Sequence, residues 1–340
     1  MNAFWELLQI CVGTREVLTS VPASQDGWGR LFRAFDVHSM LGVVFPALEK
    51  ASAQVDVPAV VYLSWERAAE KVRRRSLELR RASGELWRIF RAHGFQSCIL
   101  KGQALSPLYP CPELRQSTDI DVWVGGARKD VMEFLRNHYT VNETIYLHTE
   151  PVMFENIRVE VHFTPSWFSS PRANRRLQKW FAIHATEQFD HYDEDLGASI
   201  PTLRFNGVYL LMHLYRHQIY EGISLRQLLD YCLLLRHLDD AGRKKPSEDL
   251  YSLGLMRFAG ALMHILGTLF LIEESYMPCP PQPLSWETTV KRNQSKEGGS
   301  VSNRQRIMRN YCSLRICPEE MIWRPFFGIW HYFWRRKNGY

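Results

Sequence analysis

The feature that most constrains the fold is a run of strict two-residue alternation, STDIDVWV at residues 117–124, in a chain whose apolar residues otherwise recur every three or four positions. A period of two is strand geometry, in which successive side chains point to opposite faces. Ile120, Val122 and Val124 therefore share one face, and Asp119, Asp121 and Trp123 share the other. The segment IRVEVHF at 157–163 repeats the pattern, setting Ile157, Val159, Val161 and Phe163 against Arg158, Glu160 and His162. Both predict half-buried strands with the apolar side inward. If the two strands are neighbours, Asp119, Asp121 and Glu160 converge. Carboxylates held that close cost stability unless something neutralises them, and a divalent cation is the usual remedy. The three acids are thus candidate Mg²⁺ ligands.

The rest of the chain arranges itself around these strands. Residues 1–94 read as an N-terminal helical region: Leu31, Phe32, Phe35, Leu41, Val44 and Leu48 predict a helix over Trp28–Leu48, and Pro58 opens another helical stretch that ends at Gly94. The arginines at 73–75 and 80–81 read as a solvated helix face with ion-pairing partners. From 95 to 168 the runs FQSCILK, DIDVWV, NETIYLHTE and IRVEVHF, with a helix from Asp130 to His138 and a turn at Glu155-Asn156, define an α/β core. Helical periodicity returns over 169–285, where Pro278, Pro280, Pro281 and Pro283 stop the last helix. Residues 286–305 are polar and read as a flexible connector, and 306–340 as a helical tail. The expected class is α+β: a small mixed β-sheet flanked by an N-terminal helical region and a C-terminal helical domain.

A 340-residue chain with 46% hydrophobic residues can bury a sizeable core, and its formal charge of +6 favours anionic partners without demanding nucleic acid. Seven scattered cysteines with no C-x-x-C pair argue for a reducing compartment and against a disulfide framework or structural zinc. The most apolar run, Phe258–Ile272, is too short to span about 30 Å of hydrocarbon and reads as a buried helix. The opening residues lack a basic segment ahead of an apolar run, so no signal peptide is read and the cytoplasm is the expected location. The tail PEEMIWRPFFGIWHYFWRRKNGY is aromatic and ends basic, a composition suited to a membrane interface or to nucleobases. A helix docked on its own protein is the expectation.

Ahead of the acids, Ile99 and Leu100 end a strand and Gly102 opens a short helix, whose free N–H groups suit phosphate oxygens. Lys101 would add positive charge there. Arg115 precedes the first acid by four residues and could pair with a triphosphate or with the acids; Ser117 or Thr118 could donate to a phosphate. His162 could orient a carboxylate or take part in chemistry. His213 and His217, with Arg226 and Asp230 on the next helix, read as a polar seam between helices rather than a zinc site.

Together, Leu100-Lys101-Gly102, Leu108-Tyr109-Pro110, Arg115, Asp119-Ile120-Asp121 and Glu160-Val161-His162 resemble the polymerase-β-like nucleotidyltransferase superfamily, most closely an uncharacterised bacterial branch of it. The resemblance implies that Asp119 and Asp121 are metal ligands, that Glu160 is the third acid, and that Gly102 belongs to the turn that holds the triphosphate, with Lys101, Arg115 and Ser117 as further nucleotide contacts. It departs from the superfamily at Lys101-Gly102-Gln103, where Gly-Ser is usual, and at Glu160, where Asp is commoner. The implied activity is transfer of a nucleoside monophosphate from an NTP, with Mg²⁺, to a small-molecule, peptide or protein acceptor. The alternative is a non-catalytic nucleotide-binding or scaffold protein that keeps the fold. A tRNA or other RNA acceptor ranks lower, because the central region has no basic, aromatic-interleaved groove.

Overall fold

The computed structural model of the protein describes residues 2–283 and 303–339. It is α+β, and it divides into two compact units: Met1–Ser76 with Ser106–Gln116 and His213–Cys317, and Leu77–Leu105 with Ser117–Met212 and Pro318–Tyr340. Most of the expected connector at 286–305 lies outside the described residues, which resume in a helix at Asn303.

The first unit is helical. It takes α1 (Asn2–Cys11), α2 (Gln25–Val37), α3 (Leu41–Ser52), the first half of α4 (Ala59–Ala92), the end of α8 (Leu203–Tyr220), α9 (Leu225–His237), α10 (Asp240–Leu253), α11 (Met256–Phe270) and α12 (Asn303–Ile316). The single helix expected over Trp28–Leu48 is two, because Ser39 turns left-handed at φ +55° and the Met40 N–H closes back onto the Phe35 carbonyl at 3.0 Å. At Gly42 a side chain would collide with the Leu114 carbonyl, so the close approach of that backbone requires glycine. Most of the apolar run at 258–272 lies in the largely buried helix α11, as expected, and among the described residues no helix is long and apolar enough to cross a membrane.

One polar group in this unit is unusually well served. The buried Glu6 carboxylate accepts the backbone N–H groups of Thr19 and Ser20 at 2.7 and 2.8 Å and their hydroxyls at 2.9 and 2.7 Å. Burial pushes its pKa up, but the bonds from Ser20 and Thr19 win and hold it at about 2, below the ordinary 4.5. The ionised form is therefore favoured by folding. Its contribution of about 3 kcal/mol is present above pH 4.5 and is lost as the pH falls through 4.5 toward 2. Denaturant titrations of Glu6→Gln should show a stability deficit at pH 7 that shrinks between pH 4.5 and 3; a deficit constant across that range would mean the charge contributes nothing.

The second unit carries the sheet. Its elements are the second half of α4, β1 (Ser97–Leu100), α5 (Gly102–Leu105), β2 (Asp119–Val124), α6 (Arg128–His138), β3 (Val141–Thr144), β4 (His148–Pro151), β5 (Arg158–His162), α7 (Pro171–Asp190), the short pair β6 (Tyr192–Asp193) and β7 (Ala198–Ser199), the start of α8, and α13 (Pro318–Lys337). The order β1-β2-β5-β4-β3 is antiparallel throughout except for β2 and β5, which run parallel. Ile120, Val122, Val124, Val159 and Val161 form the core face and pack with Leu79, Leu86 and Phe90 of α4 and Val131 and Leu135 of α6. On the opposite face Trp123 meets Phe189 at 4.6 Å and stacks on Phe205 at 6.1 Å. Aromatic packing thus covers the acid-bearing face beyond Asp121, leaving the start of β2 as the accessible end.

Candidate active site

The parallel pairing sets Asp121 opposite Glu160 and Asp119 opposite Arg158. Partners in a parallel pair share a face, so all three acids stand on the side away from the core. Each is then treated differently. Asp121 is nearly buried, with Lys101 Nζ at 3.0 Å and His162 Nε2 donating at 2.8 Å, both to Oδ1. Burial pushes its carboxyl up, but Lys101 and the His162 bond overcome this and hold it well below the usual carboxylate range. Lys101 is raised in turn: burial opposes its charge, and Asp121, Tyr209 and Glu160 together outweigh burial. Glu160 has Arg158 Nη2 at 2.9 Å from Oε1, and His148 Nδ1 and His162 Nε2 at 3.3 and 3.5 Å from Oε2. Its pKa is lowered despite burial, chiefly by His162. Asp119 is half-buried and its carboxyl accepts the Thr118 hydroxyl at 3.1 Å. Burial first, and then the Asp121 charge, raise its pKa.

This changes the electrostatic argument made from the sequence. The chain supplies its own cations to Asp121 and Glu160, so a divalent ion is not the sole means of relieving them. Asp119 is the acid still held on the high side.

His148 belongs to the same cluster, although sequence reading passed over it. It stands on β4 opposite His162, with ring centroids 5.2 Å apart. Burial, followed by the neighbouring His162, pushes its pKa down to about 4, so its ring is neutral at pH 7. Its Nδ1 is buried and has no aligned hydrogen bond, and the Glu160 contact is a proximity rather than a bond. His148, Glu160 and His162 bring ligand-capable atoms within 4.8 Å of one another. The 3.3 Å separation of His148 Nδ1 from Glu160 Oε2 is close to the spacing of donors around one tetrahedral ion with bonds of about 2.0–2.1 Å, whereas His162 Nε2 would have to give up its bond to Asp121 to join them. The unbonded His148 Nδ1 beside Glu160 therefore fits a cation, and the carboxylates of Asp119, Asp121 and Glu160 on one face are the oxygen donors that suit Mg²⁺. The overlooked signal was the two-residue spacing of His148 and Glu150 in YLHTE, the same alternation that exposed the acids.

Lys101 and Gly102 make the turn into α5 with φ of +45° and +43°. A left-handed lysine is uncommon, and here its side chain is anchored on Asp121. Ser117 adjoins the turn, its Oγ 3.5 Å from where a side chain on residue 102 would begin. Arg115 has another assignment. It lies buried in the helical unit, with Nε and Nη2 donating to the two oxygens of Asp230 at 2.9 and 2.7 Å, and the Tyr109 hydroxyl donates to the same carboxylate at 2.6 Å. Arg226, expected to sit with Asp230 in a seam, donates to the Gln116 carbonyl at 2.9 Å. His213 and His217 face each other at 4.4 Å, but His213 accepts from Gln227 and His217 contacts Glu221; among the described residues they join no group of three ligands.

A mixed sheet with two acids on one strand and a third opposite on its parallel neighbour defines an α+β protein with an acid-lined candidate catalytic face. The sequence model of a family described as uncharacterised nucleotidyltransferase matches residues 24–270, and the chain belongs to that family. No curated protein matches it.

Proposed function

We propose that the protein is a Mg²⁺-dependent nucleotidyltransferase that moves a nucleoside monophosphate from an NTP to a small-molecule, peptide or protein acceptor. The observation that supports this most directly is the register of β2 and β5, which sets Asp121 against Glu160 and keeps Asp119 on the same face. Asp119 and Asp121 would hold Mg²⁺, with Glu160 completing a metal site or taking the acceptor's proton, and the metal would supply neutralisation of the triphosphate and polarisation of the reacting oxygens. Lys101, Gly102 and Ser117 surround the turn on which the triphosphate would lie. The acceptor oxygen would form a bond to the α-phosphorus while the bond to the bridging oxygen breaks, releasing pyrophosphate, and the acceptor's proton would pass to Glu160 where that residue serves as the base. His162 orients Asp121 through its Nε2–H. The cytoplasm is the proposed setting. Incubation with each α-labelled NTP, Mg²⁺ and a lysate, followed by fractionation for the labelled acceptor, tests the reading.

One observation favours a second reading, a non-catalytic nucleotide binder: Lys101 and Arg158 already neutralise two of the acids. Glu160→Gln separates the two. In a transferase whose Glu160 serves the acceptor rather than the nucleotide's ion, it should leave Mg²⁺-dependent NTP binding largely intact while turnover falls by about 10²- to 10⁴-fold, as loss of a general base does. Calorimetry and label transfer on the same preparation give both numbers. Wild-type turnover in Glu160→Gln would remove it from the chemistry, and NTP binding without any transfer by the wild type would favour the binder.

A further inference from the structure

We infer that α13 lays its outward face on the surface of an anionic phospholipid membrane. This goes beyond nucleotide transfer and does not depend on it. One side of α13 docks on the sheet unit: Phe327, Trp330 and Trp334 pack around Tyr146 at 5.4–6.0 Å, and His331 Nε2 accepts the Tyr146 N–H at 3.1 Å. Glu320 is buried on the same side, where it accepts the Ser169 N–H at 2.6 Å. The expected docking of the tail on its own protein accounts for this face only.

The opposite face is apolar as well. Ile322, Phe326, Ile329 and Phe333 follow one another at steps of four, three and four, which places them in one stripe, and each is 59–62% exposed. Tyr332 borders the stripe at 54%. A row of large apolar side chains turned to water on a helix whose other side is already packed is the kind of patch that marks an interaction surface.

Charge selects the partner. From Met321 to Tyr340 the sequence carries Arg324, Arg335, Arg336 and Lys337 and no Asp or Glu. Arg336 and Lys337 lie three and four residues beyond Phe333, at the end of the stripe, and Arg336 contacts the Tyr332 hydroxyl at 3.3 Å. A second copy of the helix would bring these cations against their equals or against a purely apolar start, because Glu319 and Glu320 are engaged by Ser170 and Ser169. A nucleic acid needs cations along the strand it follows, and the isoleucines offer no surface for base stacking. Aliphatic and aromatic side chains that enter the headgroup boundary, with arginine and lysine at one end to meet anionic lipid, suit a helix lying in the membrane plane.

The test is co-sedimentation of the full chain with vesicles of phosphatidylcholine containing 30% phosphatidylserine, beside vesicles of phosphatidylcholine alone. The expected result is binding to the anionic vesicles that weakens in high salt and falls at least about tenfold in Phe326→Ser/Phe333→Ser, since each buried phenylalanine is worth that much. Both positions are exposed, so near-UV circular dichroism should stay unchanged. Arg336→Gln/Lys337→Gln should weaken binding to the anionic vesicles while leaving any residual affinity for neutral ones. No binding of the wild type to anionic vesicles would overturn the inference. So would equal binding by Phe326→Ser/Phe333→Ser, a self-association that those changes abolish in place of vesicle binding, or retention of a single-stranded oligonucleotide through the same residues without lipid binding.

Discussion

Asp121→Asn is expected to abolish nucleotide transfer, with a loss greater than about 100-fold, and to weaken Mg²⁺-dependent NTP binding in the same variant. Loss of even an outer partner of a metal ligand typically costs about 10- to 100-fold, so a direct ligand should cost more. Two further consequences belong to this position. Asp121 is the acid on which both Lys101 and His162 converge, and the amide that replaces it removes the charge that holds the lysine. Lys101 would then lose the anchor of its left-handed turn, beside the glycine proposed to face the triphosphate. His162 would lose its charge-assisted bond, and because burial disfavours its protonated form its pKa should fall. NMR titration of the imidazoles in the variant checks this independently of activity. A variant that keeps full transfer under saturating NTP and Mg²⁺ would remove Asp121 from the site.

How much of this was readable beforehand depends on the range of the interaction concerned. The alternation in DIDVWV and RVEVH is a local property of the backbone, so the faces on which Asp119, Asp121 and Glu160 stand follow from the sequence alone. The helix expected from Asp130 to His138, which starts two residues earlier at Arg128, and the turn at Glu155-Asn156, where Asn156 has φ +61°, were legible from local pattern as well. Whether β2 and β5 pair is a tertiary fact, and with it came partners that spacing could not supply: Lys101 on Asp121, and His148 across from His162. The break at Ser39 was missed because an apolar period continues through a left-handed residue without interruption. Arg115 shows the sharpest limit. Its distance in sequence from the first acid suggested a phosphate contact, whereas its carboxylate partner lies 115 residues away. No local pattern could have announced Asp230.

That pair gives the largest stability effect expected in the molecule. Arg115 and Asp230 are both almost fully buried, joined by two hydrogen bonds, with Tyr109 donating a third to the same carboxylate. Burial opposes the guanidinium's charge, and Asp230 with Tyr109 more than compensates, raising its pKa. Asp230→Ala leaves that cation in the interior with its principal counter-charge gone, and leaves the Tyr109 hydroxyl without its acceptor. Breaking one side of a buried ion pair typically costs about 3–5 kcal/mol, most of it the penalty of the uncompensated charge rather than the worth of the pair. The double replacement Arg115→Met/Asp230→Leu should therefore recover most of the loss, because two apolar side chains of similar size need no counter-charge. Denaturant midpoints of the two variants measure this directly. The same pair of proteins also decides what Arg115 is for. If its work is structural, as its partners indicate, the double variant should bind NTP as the wild type does once its stability is restored. If Arg115 instead contacts the triphosphate, as the sequence spacing suggested, the double variant will be stable and still fail to bind nucleotide, and that outcome would return Arg115 to the nucleotide site.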